Sequence, residues 1–125
     1  MPQTILIVED NDNNRDLLKD LLSFYGYEFA VAADGREGVT LARELLPDLI
    51  LMDIQMPGMD GMTACTILKG DQLTSGLKII ALTSFAMEGD REKFLAAGFD
   101  GYLPKPISTR ELPGLVQGWL KEVQK

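Results

Sequence analysis

Histidine is absent from this chain of 125 residues, and cysteine occurs once, as Cys65. Without histidine the chain lacks the commonest general base and the commonest transition-metal ligand, so a metal site here must consist of oxygen ligands, which suit a hard cation such as Mg²⁺. One cysteine cannot form an internal disulfide. The chain also lacks a charged start followed by a long apolar segment. We therefore expect a cytoplasmic protein that is neither secreted nor inserted into a membrane.

Positive charge is scarce in this chain. There are 12 Lys and Arg against 19 Asp and Glu, a net charge of -7, and no stretch is strongly basic. Because affinity for nucleic-acid backbones comes from clustered Lys and Arg, this composition argues against direct binding of nucleic acid. The length, with 46% hydrophobic and 25% charged residues, predicts one globular domain over residues 1–125 and leaves no room for an output domain.

Reactive side chains follow four short apolar runs, at 5–8, 49–52, 79–82 and 102–103. In the same order, the residues that follow are Glu9 with Asp10, then Asp53, then Thr83 and, after Pro104, Lys105. Such a run, separated from the next by a helical pattern, is typical of a strand buried on both faces of a parallel sheet. In these sheets the ligand site lies at the carboxyl ends of the strands. We therefore expect these side chains to meet in one crevice.

Strands and helices alternate five times along the chain, which predicts an α/β fold with a parallel sheet. Gly26 and Gly98 are expected to cap helices, and Pro47 is expected to stop one. The predicted strands lie near 4–9, 28–32, 48–53, 78–83 and 100–103, and the predicted helices near 13–25, 36–45, 61–69, 88–97 and 108–122.

The acids and the lysine are suited to phosphoryl transfer. Asp53 ends the central run and is the candidate nucleophile, which would form an acyl phosphate. Glu9 and Asp10, with Asp53, can hold Mg²⁺ directly or through water. Three carboxylates and Lys105 carry a net charge of -2, which Mg²⁺ would bring to 0 before a phosphate arrives. Adjacent acids at a strand end are also common as solvated loop residues, but an acid ending an apolar run must be exposed at the strand tip or incur a large desolvation cost.

Three strings of residues, taken together, match a known family. They are Ile-Val-Glu-Asp-Asn at 7–11, the stretch from Asp48 to Gly61 that contains Asp53, and Leu-Pro-Lys-Pro at 103–106. The chain resembles the receiver domain of two-component response regulators, over residues 4 to about 122. Single-domain DivK-like regulators and the receivers of hybrid histidine kinases are the most similar members.

This resemblance implies a fold and an activity. The fold would be flavodoxin-like, a doubly wound five-stranded parallel sheet of order 2-1-3-4-5 with five helices on its two faces. Asp53 would accept a phosphoryl group from a phosphohistidine of a partner histidine kinase or histidine phosphotransferase, with Mg²⁺ or, as a substitute, Mn²⁺. The protein would be a signalling switch that catalyses only its own phosphorylation and dephosphorylation. A downstream protein target would read a surface formed by the fourth helix, fifth strand and fifth helix.

The resemblance also implies roles for residues around the crevice. The backbone carbonyl of Gln55 would be a metal ligand, and Lys105, followed by a cis-proline turn at Pro106, would contact the phosphoryl oxygens. Thr83 would bond a phosphoryl oxygen, and Tyr102 would rotate inward behind it. Phe85, two residues after Thr83, is bulkier than is usual in relatives, so we expect it to shield the acyl phosphate from water and slow its hydrolysis.

Three other functions compete with this interpretation. A phosphohydrolase that works through an aspartyl phosphate usually needs a second acid two residues after the nucleophile, where this chain has Gln55. A flavin carrier of the same architecture needs a Ser/Thr/Gly-rich phosphate loop after the first strand, where this chain has the acidic residues 9–12. A scaffold that works without phosphorylation would not need the intact set of acids, hydroxyl and lysine.

Overall fold

The structure is a computed structural model that describes residues 3–84 and 89–123. Five strands and five helices alternate within these residues, as the sequence predicts. They are β1 (Thr4–Val8), α1 (Asp12–Phe24), β2 (Glu28–Ala32), α2 (Gly35–Leu45), β3 (Leu49–Asp53), α3 (Gly61–Lys69), β4 (Ile79–Thr83), α4 (Asp90–Ala97), β5 (Gly101–Pro104) and α5 (Leu112–Val123).

The five strands form one parallel sheet of order β2-β1-β3-β4-β5, which confirms the predicted flavodoxin-like fold. The order reverses between β1 and β3, which are neighbours although β2 separates them in sequence. At such a switch point the two loops that follow the strands diverge to opposite faces and leave a crevice between them. The carboxyl ends of β1 and β3 therefore form the floor of the expected site.

Both faces of the sheet are covered by helices, and side chains alternate between them along each strand. On one face, Leu6, Val8, Ile50 and Met52 pack with residues of α2, α3 and α4. On the other face, residues such as Ile7 and Leu51 pack with α1 and α5. Burial on two faces explains why these strands are continuous apolar runs without the polar alternation of a half-exposed sheet.

Most predicted boundaries agree with the structure to within one residue, but the last helix is shorter than predicted. We expected it to begin near residue 108, whereas α5 begins at Leu112 after a turn in which Ser108 Oγ accepts from the Glu111 N–H at 3.2 Å. Proline is tolerated in the first turn of a helix but not further in, because its ring removes a donor and clashes with the preceding turn. Pro113 therefore suits a helix that begins at residue 112.

Two glycines end helices as expected. Gly98 is the C-terminal cap of α4 with φ of +107°, and Gly26 follows α1 with φ of +84°. Both values lie in the left-handed region that glycine adopts without steric cost. Within residues 3–84 and 89–123, none of the helices combines the length and the apolar character needed to cross a bilayer.

Gly61 lets α3 begin directly against the end of β3. Its N–H donates to the Ile54 carbonyl at 2.9 Å, and a Cβ placed on Gly61 would lie 2.2 Å from the carbonyl oxygen of Asp53. That oxygen belongs to the backbone and cannot move without moving the strand end. Because Gly61 has no side chain, α3 can start close to the backbone of Asp53, and Asp53 keeps its place at the end of β3.

We predict that Gly61→Ala destabilises the fold by roughly 1–3 kcal/mol, the usual cost of forcing an extra group into a packed region. Gly118→Ala is the matched control, because Gly118 lies within α5 and a Cβ there would meet no atom within 4 Å. The control should gain up to ~1 kcal/mol, because alanine favours a helix over glycine. Urea denaturation midpoints measure both changes, and equal stability of the two variants would contradict the close contact.

Candidate functional site

Glu9 and Asp53 lie side by side at the carboxyl edge of the sheet. β1 and β3 pair in the register Val8 to Met52, so the next residues on each strand are also neighbours. The Glu9 N–H donates to the Ala32 carbonyl at 3.0 Å, which extends the pairing of β1 with β2 by one residue. Both acids are buried, with Glu9 0% and Asp53 4% exposed. Asp10, the next residue in the chain, is exposed.

Lys105 contacts both buried acids. Its Nζ lies 3.1 Å from Oε1 of Glu9 and 3.1 Å from Oδ1 of Asp53. The backbone of Lys105 is fixed by β4, because its N–H donates to the Thr83 carbonyl at 2.7 Å, and the peptide bond between Lys105 and Pro106 is cis. Three strands of the sheet therefore supply the two carboxylates and the ammonium of one compact ionic cluster.

The charges of this cluster do not balance. Burial and the neighbouring Glu9 carboxylate raise the pKa of Asp53 from 3.8 to about 6, although Lys105 and the backbone N–H of Gln55 act in the opposite direction. Burial disfavours the charged ammonium of Lys105, but Glu9 and Asp53 outweigh burial and raise its pKa above the usual 10.5. Neighbouring carboxylates contribute to both rises in pKa. The Lys105 ammonium is stabilised by two carboxylates, whereas the Asp53 carboxylate is repelled by that of Glu9. The cluster therefore has an excess of negative charge.

The residues of the cluster fit a divalent cation. Glu9, Asp10 and Asp53 each offer a carboxylate oxygen, and these oxygens lie within 4.8 Å of one another. Oε2 of Glu9 is buried, and no described residue donates a hydrogen bond to it. A buried carboxylate oxygen without a donor is costly, and a cation or its bound water removes that cost. Exposed Asp10 leaves one side of the group open to solvent.

The remaining predicted residues surround this cluster at different distances from the acids. Gln55 is exposed, and its N–H donates to Oδ1 of Asp53 at 3.3 Å. Thr83 is buried at the end of β4, one residue past Leu82, the partner of Asp53. Tyr102 lies in β5 with its ring against Phe94, at 5.9 Å between ring centroids. The metal role of the Gln55 carbonyl and the switching roles of Thr83 and Tyr102 stay predictions.

Phe85 lies outside the described residues, and so its predicted shielding of an acyl phosphate stays a prediction.

The expected surface of the fourth helix, fifth strand and fifth helix corresponds to α4, β5 and α5. Phe94 of α4 contacts Phe99 as well as Tyr102, with ring centroids 6.3 Å apart. Phe94, Phe99 and Tyr102 therefore form one packed aromatic group.

Two residues of α1 that sequence reasoning did not single out also contact Glu9. The Asn14 side chain donates from Nδ2 to Oε1 of Glu9 at 3.2 Å, and Arg15 donates from Nη1 to the Glu9 carbonyl at 2.9 Å. Arg15 also pairs with Asp12. The available signal was that the first turn of α1 begins beside the site, so its polar residues face the acids.

Comparison with known proteins identifies the family. The family model of the response regulator receiver domain matches residues 5–117. Among curated proteins, the polar-differentiation response regulator DivK of Brucella anthropi is 42% identical over 120 residues, which cover 96% of this chain and 98% of that protein.

Solved structures show the same similarity. The receiver domain of a sensor histidine kinase from Pseudomonas aeruginosa PAO1, with a magnesium ion coordinated in its active-site cleft, superimposes with a TM-score of 0.88 at 38% identity, covering 97% of this chain and 99% of that one. A Saccharomyces cerevisiae co-crystal structure of the histidine phosphotransfer protein Ypd1 with the receiver domain of its downstream response regulator Ssk1 gives a TM-score of 0.88 at 29% identity, covering 94% of this chain and 88% of that one.

The sheet order, the acidic cluster at its carboxyl edge and these matches agree. The predicted resemblance to response regulator receiver domains, which are signalling proteins, is confirmed. Glu9, Asp10 and Asp53 of this chain are compatible with a Mg²⁺ site. The chain belongs to the response regulator receiver domain family of two-component signalling, and it is DivK-like.

Proposed function

We propose that this receiver accepts a phosphoryl group on Asp53 from a phosphohistidine of a partner histidine kinase or histidine phosphotransferase. The observation that carries the proposal is the convergence of Glu9, Asp53 and Lys105 at the switch point of the sheet, with Nζ of Lys105 3.1 Å from each acid. Asp53 would be the nucleophile, Glu9 and Asp53 would bind a cation, and Lys105 supplies a positive charge. These are the groups that phosphoryl transfer needs.

The transfer step exchanges one bond for another. A carboxylate oxygen of Asp53 attacks the phosphorus, and a P–O bond forms as the P–N bond to the imidazole breaks. The leaving imidazole nitrogen keeps the electron pair, and because the other ring nitrogen of the phosphohistidine carries a proton, the histidine departs as neutral imidazole. The transition state is loose, with charge spread over three oxygens, so positioning and charge neutralisation supply most of the catalysis. The chain acts on itself alone, in phosphorylation and in the later hydrolysis.

Lys105 would neutralise negative charge both before and after the transfer. Before transfer its ammonium neutralises part of the Glu9 and Asp53 charge. After transfer one Asp53 oxygen is bonded to phosphorus in a mixed anhydride, and the ammonium pairs with a phosphoryl oxygen that carries more charge than the carboxylate oxygen did. The hydrogen bond from the Lys105 N–H to the Thr83 carbonyl holds the backbone of this residue at the edge of the site.

Glu9, Asp10 and Asp53 would hold Mg²⁺, with Mn²⁺ as a substitute and the Gln55 carbonyl as a further ligand. When bound, the cation neutralises charge on the acids and on the transferring phosphoryl group. The donor set is made of oxygens alone, which is the set that Mg²⁺ prefers. The carboxylate oxygen of Glu9 that has no described donor supports this assignment.

Phosphorylation would act on partners through Thr83 and Tyr102. The new phosphoryl group adds about -1.5 to -2 charges and three acceptor oxygens beside Thr83. When the Thr83 hydroxyl moves to bond one of them, Tyr102 turns into the space behind it and repacks against Phe94. The surface of α4, β5 and α5 then differs between the two states and is read by a downstream protein target. We also propose that Phe85 slows hydrolysis of the acyl phosphate. The chain as a whole would act as a single receiver domain.

Phosphorylation tests the proposal directly. Incubation with acetyl phosphate and Mg²⁺ should add one phosphoryl group to the intact chain, as measured by mass spectrometry. Asp53→Asn should abolish this addition, because the amide cannot form an acyl phosphate. Asp48→Asn is the control, since Asp48 is engaged at the opposite edge of the sheet with the Thr4 N–H at 2.8 Å. Equal labelling of wild type and Asp53→Asn would refute Asp53 as the acceptor, and labelling that persists in EDTA would refute the metal.

Stability of the metal-free protein should depend on pH through Asp53. Because the folded-state pKa of Asp53 is raised from 3.8 to about 6, its penalty is absent below the lower value and complete above the higher one. In EDTA, Asp53→Asn should therefore be more stable than wild type by about 1 kcal/mol at pH 4.5, which lies between the two pKa values, and by up to roughly 3 kcal/mol at pH 7.5. Melting temperatures measure the difference.

Millimolar Mg²⁺ should stabilise wild type at pH 7.5, by ~1.4 kcal/mol at ten times Kd. Asp53→Asn should gain less, because it lacks one ligand. A melting temperature of wild type that does not respond to Mg²⁺ would count against a metal site formed by these three acids.

A further inference from the structure

The first turn of α1 holds Glu9 by both its backbone and its side chain. The Asn11 side chain caps the helix by accepting from the Asn14 backbone N–H at 3.0 Å, which fixes where Asn14 lies. The Asn14 side chain reaches Oε1 of Glu9 at 3.2 Å, and Arg15 reaches the Glu9 carbonyl oxygen at 2.9 Å. Glu9 is thus attached to a rigid helix as well as to the end of β1.

The two oxygens of the Glu9 carboxylate have different surroundings. Oε1 accepts from Nδ2 of Asn14 at 3.2 Å and from Nζ of Lys105 at 3.1 Å. Oε2 is buried and receives no hydrogen bond from a described residue. A carboxylate only accepts hydrogen bonds, so the Asn14 amide must present its nitrogen to Glu9. The two donors engage one oxygen and leave the other for a cation or its bound water.

Lys105 alone would hold Glu9 poorly. The last torsion of a glutamate side chain is broad, so a single donor leaves the carboxylate free to turn. Lys105 also divides its ammonium between Glu9 and Asp53, on a flexible stem. Asn14 has a short side chain on a capped helix and contacts Glu9 alone among the acids of the cluster. It is the better fixed of the two donors.

We infer that Asn14 is a positioning residue of the metal site, which orients the Glu9 carboxylate through Oε1 and thereby strengthens the binding of Mg²⁺. The inference rests on the proposed function. Hydrogen bonds that orient a metal ligand typically change metal affinity 10–100-fold. In the phosphorylated state, when Lys105 pairs with the phosphoryl group, Asn14 continues to hold Glu9 and so keeps the ligand in place.

Calorimetric titration with Mg²⁺ tests this role on the full chain. Asn14→Ala should raise the Kd for Mg²⁺ about tenfold. Asn13→Ala is the matched control, because Asn13 is the neighbouring residue of the same type, exposed on the same turn of α1. The control should bind Mg²⁺ as wild type does. Both variants should melt in EDTA within a degree or two of each other, so that a change in Kd does not reflect a change in folding.

A double-mutant cycle then asks whether Asn14 acts through Glu9. In a Glu9→Ala background, which removes the acceptor of the Asn14 hydrogen bond and in which Mg²⁺ binds more weakly through Asp10 and Asp53, Asn14→Ala should cause no further loss. The same tenfold loss in both backgrounds would overturn the inference, and so would wild-type affinity in Asn14→Ala. Absence of Mg²⁺ binding by wild type would instead refute the proposed metal site, which separates the two failures.

Discussion

The functional site depends on an ionic contact in which one ammonium meets two buried carboxylates. Nζ of Lys105 lies 3.1 Å from both Glu9 and Asp53, and neither acid is more than 4% exposed. At an effective dielectric constant of 20, two unit charges 4 Å apart interact by roughly 4 kcal/mol, and the repulsion between the acids is of the same order as either attraction. The cluster is therefore held together, but it is left with uncompensated negative charge. In the proposed function, binding of a divalent cation and transfer of a phosphoryl group would both act on that excess.

The fold tolerates this unfavourable cluster because different residues stabilise the protein and form the site. The apolar strand segments on both sheet faces supply the burial, while the acids and the lysine are confined to the carboxyl edge. β1, β3 and β5 contribute Glu9, Asp53 and Lys105, three residues distant in sequence, and parallel pairing brings their ends to one edge. Gly61 and Asn14 then set finer positions, one by allowing close approach to the Asp53 backbone and the other by holding a Glu9 oxygen.

Much of this arrangement could be predicted from the sequence, because it follows from alternation and from strand ends. The apolar runs predicted four strand positions to within a residue, and Glu9, Asp53 and Lys105 were found because each follows such a run, Lys105 after the intervening Pro104. The family resemblance supplied the strand order, since local pattern does not determine which strands are neighbours. The start of α5 was predicted four residues early because the restriction of Pro113 to the first turn of a helix was not applied.

Other features depend on distances between elements and have no local signature. Glu9 and Asp10 are adjacent acids in the sequence, yet one is buried and the other exposed, because only Glu9 continues the pairing of β1 with β2. The sequence places the first turn of α1 beside the strand end, but periodicity does not reveal which polar side chain of that turn reaches Glu9. The raised pKa of Asp53 follows first from burial and then from Glu9. The sequence predicted that the two acids meet, but it did not predict how deeply Asp53 is buried.

The pKa of the Asp53 carboxyl is the most direct measure of the charge excess at the centre of this account. Carbon-13 NMR of the side-chain carboxyl, recorded across a pH titration in EDTA, reports this value for one residue. The account predicts about 6 in wild type and a lower value in Glu9→Gln, because that change removes the repulsion but leaves burial in place. A wild-type value near the ordinary 3.8, unchanged in Glu9→Gln, would contradict the account.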